Sequence, residues 1–194
     1  MRLAVPTTTP RTPPLPEWDV ATWLNCDAPV TLASLRGRVV LIHAFQMLCP
    51  GCVAYGLPQA ERVRQGFAPH EVAVVALHTV FEHHAAMSVD ALRAFVHEYR
   101  WSFPIGVDRP GADGGVPRTM RAYGLRGTPS HIVLDRNGIV HMHHFGRVDD
   151  LVLGATIGRL LAQDAATSNL PTDAVQAPGR CTPEGCAPDR VDDA

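Results

Sequence analysis

The chain has 194 residues, of which 46% are hydrophobic and 19% charged, a composition that suits one globular domain with terminal extensions. The net charge of -2 argues against nucleic acid or an anionic membrane surface as a partner, and the absence of lysine excludes Schiff-base chemistry. No apolar run is long enough to cross a bilayer, and residues 1–16 lack the apolar core of a signal peptide. We therefore expect a cytoplasmic protein, in which a closely spaced cysteine pair is more often catalytic or metal-binding than a structural disulfide.

The N-terminal part of the chain predicts an extension ahead of the main domain. Residues 1–14 are rich in Thr and Pro, which is typical of a flexible lead-in. Residues 15–35 predict a short strand or hairpin, with strand segments at 17–20 and 30–32. Cys26 falls in the turn between these segments, where we expect a packed thiol.

The next elements alternate between strands and helices. An apolar, β-branched run at 39–46 is typical of a buried strand, and a helical pattern follows Cys52 to about Gln65. Pro50 suits the first helical turn, whereas Pro58 lies inside the helix and should kink it. The elements predicted next are a buried parallel-type strand at 72–78, a loop at 79–87, a helix with Ser88 as N-cap that ends near Arg100, and a short strand at 103–107.

The second half of the chain predicts a hairpin followed by a last helix. Its elements are a Gly-rich turn at 109–115, a short helix at 116–123, a strand at 131–134, a turn at 135–138, a partner strand at 139–145, and a helix from Asp149 and Asp150 to about Ala162. The main domain is predicted at 15–165, and residues 166–194 predict a flexible tail. This order favours an α/β fold with a mixed central sheet covered by helices on both faces.

Cys49 and Cys52 stand where the strand at 39–46 leads into the following helix. The first sulfur would lie near the helix N-terminus, where the N–H groups and the helix dipole favour a thiolate. The alternative is half of a zinc site, but such a site usually requires a second Cys/His pair at ligand spacing. Redox chemistry is therefore the favoured interpretation of this pair, and binding or delivery of copper or zinc is the alternative.

These residues resemble the thioredoxin-fold superfamily. The resemblance is carried by the segment Cys49-Pro50-Gly51-Cys52, by a helix with an internal proline, and by a late Thr128-Pro129 before the hairpin. The extension at 31–41 is similar to the TlpA/ResA-like and AhpC/TSA (redoxin) branch. The resemblance covers residues 15–165 and implies a thioredoxin-like three-layer α/β/α fold with an N-terminal strand or hairpin extension.

The resemblance also implies roles for four residues and a reaction. Cys49 matches the exposed nucleophile, and Cys52 matches the buried resolving cysteine that releases the product. Pro129 matches a cis-proline that faces the active site, and Thr128 before it would lend backbone groups to a peptide-like substrate. The implied protein is a thiol–disulfide oxidoreductase that needs no bound organic cofactor. Its implied partners are a protein or small-molecule disulfide and an external thiol reductant.

The sequence departs from the family at several positions. His43 stands where thioredoxins place a buried Asp, Leu48 replaces the usual Trp, and Pro58 is offset by one residue. A buried histidine favours its neutral form, so His43 could accept the proton of Cys52, but it could equally be a core histidine hydrogen-bonded to backbone. The peroxiredoxin signature P-x-x-x-[ST]-x-x-C is not matched, since Gln46 lies three residues before Cys49. A thiol peroxidase of atypical motif is a further alternative.

Two other groups of residues have chemistry of their own. Ligand-type side chains occur at His78, Glu82, His83, His84, His141, His143 and His144, and they are consistent either with metal binding or with a half-solvated surface. In the tail, Cys181 and Cys186 could close a small disulfide, bind a metal, or pass electrons to Cys49 and Cys52. The alternative for the tail cysteines is an incidental pair in a flexible segment.

Overall fold

The computed structural model describes residues 14–168, 180–182 and 185–187 of the chain. The strands among them are β1 (Val20–Leu24), β2 (Val39–Phe45), β3 (Val72–His78), β4 (Ile105–Asp108), β5 (Ser130–Leu134), β6 (Val140–Phe145), β7 (Arg180–Thr182) and β8 (Gly185–Ala187). The α-helices are α1 (Leu57–Gly66), α2 (Val89–Tyr99), α3 (Arg118–Ala122) and α4 (Asp150–Ser168).

Six of the strands form one mixed sheet in the order β1-β4-β3-β2-β5-β6. Strand β2 pairs with β3 in parallel and with β5 in antiparallel, so it lies in the middle of the sheet with a neighbour on each side. The β5–β6 pair is the antiparallel hairpin that the turn sequence predicts. The predicted α/β fold with a mixed central sheet is therefore confirmed.

Both faces of the sheet are covered, which explains why β2 is apolar along its whole length. Its alternate side chains Leu41 and Phe45 pack into a core with residues of α1, α2 and α4. Ile42 and Ala44 point to the opposite face, where Met120 of α3 contributes to a second core. Since β2 is buried on both sides, the polar side chain of His43 within it is an exception that needs an explanation.

The N-terminal extension contains one strand, β1, and not the hairpin that was the other prediction for residues 15–35. Strand β1 pairs antiparallel with β4 and overlaps the predicted segment at 17–20 only at Val20, so that prediction is three to four residues early. The predicted strand segment at 30–32 is wrong, since it leads into a 3₁₀ turn at Ala33–Leu35. The reason is local hydrogen bonding: the carboxylate of Glu17 accepts the N–H groups of Leu32 and Ala33 at 2.9 and 3.2 Å. These bonds satisfy the backbone donors that a ladder would otherwise use.

The helix after Cys52 begins with a wide π-helical turn, Cys52–Gly56, and continues as α1. The backbone N–H of Leu57 donates to the carbonyl of Cys52, five residues earlier. Pro58 has no N–H to donate, so the carbonyl four residues before it has no α-helical partner. The helix therefore widens ahead of Pro58, and this wide turn stands where the sequence predicts a kink.

Several predicted boundaries shift. Helix α4 continues to Ser168 instead of ending near residue 162, and the segment 109–115 contains a short 3₁₀ turn at Ala112–Gly114. Residues 1–13 and most of the predicted tail lie outside the described residues, so their flexibility stays a prediction. In β7 and β8, Cys181 and Cys186 occupy directly opposed register positions. No helix in the described part of the chain has the length and apolar character needed to cross a membrane.

Candidate functional site

The end of β2 and the start of the following helix place the two predicted cysteines. The N–H of Cys49 donates to the carbonyl of Gln46 at 3.1 Å, which closes a turn directly after β2. The carbonyl of Cys49 then accepts the N–H groups of Cys52 and Val53 at 3.0 and 3.1 Å, so helical hydrogen bonding starts at Cys49. Cys49 therefore stands at the helix N-terminus, as its spacing from the strand predicts.

The two thiols have different surroundings. Cys49 is partly exposed, whereas Cys52 is fully buried, and both are free thiols. The backbone N–H of Cys52 donates to Cys49 Sγ at 3.4 Å, and the Cys49 thiol donates to the carbonyl of Thr128 at 3.6 Å. Burial, followed by the hydrogen bond with Cys49, raises the pKa of the Cys52 thiol to about 12. Cys52 is therefore protonated at neutral pH, and Cys49 is the accessible sulfur.

The loop before β5 brings Thr128 and Pro129 to the cysteines. The Thr128–Pro129 peptide bond is cis. Gly51 lies against the proline ring, where an added Cβ would be 3.3 Å from Pro129 Cδ. The N–H of Gly146, after β6, donates to the carbonyl of Pro129 at 2.8 Å and ties this loop to the hairpin. Four residues that the sequence assigns to one site thus meet at the carboxyl end of β2.

His43 lies under the π-helical turn that follows Cys52. Its ring fills the space opposite Gly56, where an added Cβ would lie 2.7 Å from His43 Nε2. The ring is fully buried, and neither ring nitrogen has a hydrogen-bond partner among the described residues. The alternative of a core histidine is therefore confirmed in its placement, whereas the backbone hydrogen bond that it included is wrong. Burial, followed by the charge of His131, lowers the pKa of His43 well below its ordinary value, so the ring is neutral at pH 7.

Three residues that the sequence patterns did not mark as functional also shape this site. His131 on β5 is directly opposite His43, and the two ring centroids are 4.7 Å apart. Gly56 leaves the space that the His43 ring occupies. Gln46 is buried and hydrogen-bonded beside Cys49. Gly56 could have been found, because a glycine inside a predicted helix indicates a close approach by another group. The pairing of His131 with His43 depends on strand register, which local sequence patterns do not determine.

The remaining ligand-type residues do not assemble into a metal site. His78 is buried against Phe45, His141 contacts Asp135, and His143 contacts the carbonyl of Tyr123. Within residues 14–168, 180–182 and 185–187, no three His, Cys, Asp or Glu side chains are grouped so that they could hold a metal ion. The geometry of the described residues therefore gives the metal alternative no support. Cys26 is a half-buried free thiol, and burial raises its pKa.

Comparison with known proteins agrees with this arrangement. The sequence model of the AhpC/TSA family matches residues 14–143. The chain belongs to the AhpC/TSA family. A solved thioredoxin-like superfamily protein, SPOA0173, is 55% identical with a TM-score of 0.74, covering 76% of this chain and 96% of its own. A thiol-disulfide isomerase from Corynebacterium glutamicum is 46% identical, also with a TM-score of 0.74, covering 77% and 96%.

A curated relative is more distant. The thioredoxin-like protein YneN of Bacillus subtilis (strain 168) is 27% identical over 116 residues, which cover 60% of this chain. The matched region spans about three fifths of the relative, 61% of its length. Together with the fold and the solved structures, these findings place the chain in the redoxin branch of the thioredoxin fold. They support its assignment to a family of thioredoxin-like redox proteins.

Proposed function

We propose that the protein is a thiol–disulfide oxidoreductase that reduces or exchanges disulfides through Cys49 and Cys52. The observation that carries the proposal is the contrast between the two sulfurs. Cys49 is partly exposed at a helix N-terminus beside Thr128, whereas Cys52 is buried with a pKa of about 12. Such a contrast separates an attacking thiol from a resolving thiol, since only the first is accessible to a substrate.

The proposed reaction proceeds in two exchange steps. Cys49 loses its thiol proton and attacks one sulfur of a substrate disulfide, so the substrate S–S bond breaks and a mixed disulfide forms. The second substrate sulfur leaves as a thiolate that takes up a proton. Cys52 then loses its proton, attacks Cys49 Sγ and releases the first substrate sulfur as a thiol. Two electrons have passed from the dithiol to the substrate, and an external thiol reductant restores Cys49 and Cys52.

Neighbouring groups have proposed roles in these steps. The backbone of Thr128 and Pro129 would hold the substrate segment beside Cys49, since the Thr128 carbonyl already contacts the Cys49 thiol. His43 is the proposed acceptor for the Cys52 proton, because its ring lies under the turn that follows Cys52 and is neutral at pH 7. Neither ring nitrogen is within hydrogen-bonding distance of the Cys52 sulfur here, so the transfer requires the Cys52 side chain to approach the ring. Burial makes His43 a weak base, so this transfer requires Cys52 to be attacking at the same time.

The surroundings of Cys49 favour a protein disulfide as the substrate. Large apolar side chains at Leu48, Tyr55 and Phe145 are exposed around the site, although such residues are normally buried. The guanidinium groups of Arg147 and Arg126 lie over the Tyr55 and Phe145 rings, 4.4 and 5.4 Å from the ring centroids. The thiol-disulfide isomerase from Corynebacterium glutamicum, at 46% identity, gives the same reaction class.

The proposal is tested by measuring insulin disulfide reduction with dithiothreitol as the electron source. We expect Cys49→Ser to lose the catalysed rate, because the attacking sulfur is missing. In a separate incubation of the reduced protein with insulin, after free dithiothreitol has been removed, we expect Cys52→Ser to accumulate a mixed disulfide between Cys49 and the substrate. This species is detectable as a mass increase that added dithiothreitol reverses. Cys26→Ser is the matched control and should keep the wild-type rate. Full activity of the Cys49→Ser variant would falsify the proposed function.

A further inference from the structure

Gln46 is a buried polar residue that the proposed reaction does not use. It lies between β2 and Cys49 and is 1% exposed. Its side-chain oxygen accepts the backbone N–H of Phe81 at 3.2 Å, and its side-chain nitrogen donates to the carboxylate of Glu82 at 3.2 Å. Both polar atoms of the amide are thus bonded to the segment that follows β3.

The backbone of the same residue contacts the dithiol. The carbonyl of Gln46 accepts the N–H of Cys49 at 3.1 Å and closes the turn that presents this cysteine. Hydrogen bonding from the Gln46 backbone also lowers the pKa of the Cys52 thiol, opposing the larger effect of burial. Gln46 therefore faces both cysteines through its backbone and the 81–82 segment through its side chain.

We propose that Gln46 is a positioning residue for the dithiol: its side-chain bonds to Phe81 and Glu82 fix the backbone that holds Cys49 beside Cys52. The inference rests on the proposed dithiol chemistry. Two thiols held close together have a high effective concentration for each other, which favours their disulfide over the separate thiols. Release of the Gln46 side chain should therefore weaken the Cys49–Cys52 disulfide.

The test measures the equilibrium of the Cys49–Cys52 disulfide with reduced and oxidised glutathione, by alkylation and mass spectrometry. Gln46→Met keeps a side chain of similar length and removes both hydrogen bonds. We expect its equilibrium constant to shift about threefold to tenfold toward the dithiol, where tenfold corresponds to about 30 mV. Glu82 is exposed, so Glu82→Ala should fold normally and shift the constant in the same direction by a smaller factor.

Two variants separate this role from general stabilisation. Glu82→Gln keeps an acceptor oxygen for the Gln46 amide, so, unlike Glu82→Ala, it should have the wild-type equilibrium constant. Gln65→Met makes the same substitution at another amide–carboxylate bond, since Gln65 donates to Glu61 at 2.8 Å on the exposed face of α1. It should leave the constant unchanged. Should Gln46→Met prove unstable, the comparison of Glu82→Ala with Glu82→Gln tests the positioning role by itself.

Three results would count against these assignments, and they are distinguishable. A Gln46→Met constant within twofold of wild type would overturn the positioning role. Equal shifts in Glu82→Gln and Glu82→Ala would also overturn it, because the acceptor oxygen would then be irrelevant. A wild-type protein that never forms the Cys49–Cys52 disulfide would instead contradict the proposed function.

Discussion

The histidines of this protein lie in two contrasting regions. His43 and His131, the buried pair, face each other across β2 and β5 with almost no solvent exposure. His141 and His143, the edge histidines, lie on β6 at the edge of the sheet and are exposed. The edge histidines have a hydrogen-bond acceptor each, whereas His43 has none among the described residues. The same kind of side chain is therefore a buried core group in one region and an exposed surface group in the other.

The difference shows that burial, and not residue type, decides what these histidines do. Burial lowers the pKa of His131 to about 4, with a smaller contribution from His144. Burial also lowers the pKa of His43 well below 6.5, with a smaller contribution from His131. The imidazole of His43 is thus neutral and has no hydrogen-bond partner among the described residues, beneath the helix that carries Cys52.

The largest expected effect is acid sensitivity caused by the buried pair. His131 binds a proton with a pKa near 6.5 when unfolded but about 4 when folded, so the unfolded state gains protons first as the pH falls. The stabilisation is complete above pH 6.5 and is lost progressively down to pH 4, at a cost of up to about 3 kcal/mol. His131→Gln should remove that part of the pH dependence, measured by urea unfolding at several pH values between 7 and 4.

His141→Gln is the control for this measurement, because it also replaces a histidine with glutamine, but at an exposed position. Its unfolding free energy should follow the wild-type pH dependence within about 0.5 kcal/mol. If His131→Gln lost as much stability on acidification as wild type, the buried pair would not be the source of the acid sensitivity.

A smaller effect is expected from the contact between Gly56 and His43. A Cβ at position 56 would meet the imidazole, so Gly56→Ala should destabilise the fold by about 1–3 kcal/mol through overpacking. His43→Ala removes the obstacle, and the double variant should be more stable than the sum of the two single changes predicts. Urea unfolding of the four proteins gives this coupling free energy.

Gly154→Ala is the matched control for Gly56→Ala. Gly154 lies in α4, where an added Cβ has nothing within 4 Å. The substitution should therefore stabilise α4 by about 0.5–1 kcal/mol through the lower backbone entropy of alanine. Additive effects of Gly56→Ala and His43→Ala would show that the two residues do not share one space.

Features of the site that depend on local sequence patterns were predictable, whereas those that depend on strand register were not. Strand β2 and the cysteines at the following helix were predictable, because a β-branched run and a Cys-Pro-Gly-Cys segment are local patterns. The placement of His43 in a buried strand followed from the same pattern. The partner His131 did not, since it depends on the antiparallel register of β5 against β2.

Other features of the site depend on contacts distant in sequence. The role of Gly56 requires the His43 ring to lie opposite it, and the anchoring of Gln46 requires the segment after β3 to return to the end of β2. Local hydrophobic periodicity carries no information on such contacts. The predicted hairpin strand at 30–32 failed for a related reason, because Glu17 binds its backbone from outside the segment.

The smallest effect is expected at the edge histidines, where substitutions should hardly matter. His141 makes a surface contact with Asp135 at 3.0 Å, and such pairs contribute about 0–1 kcal/mol. His141→Gln and His143→Gln should therefore keep the insulin-reduction rate and change the unfolding free energy at pH 7 by about 0.5 kcal/mol or less. The same variants test the metal alternative. If Zn²⁺ raised the Tm of the wild-type protein and this rise disappeared in either variant, the edge histidines would bind metal. The edge histidines would then differ from the buried pair in metal binding as well as in burial.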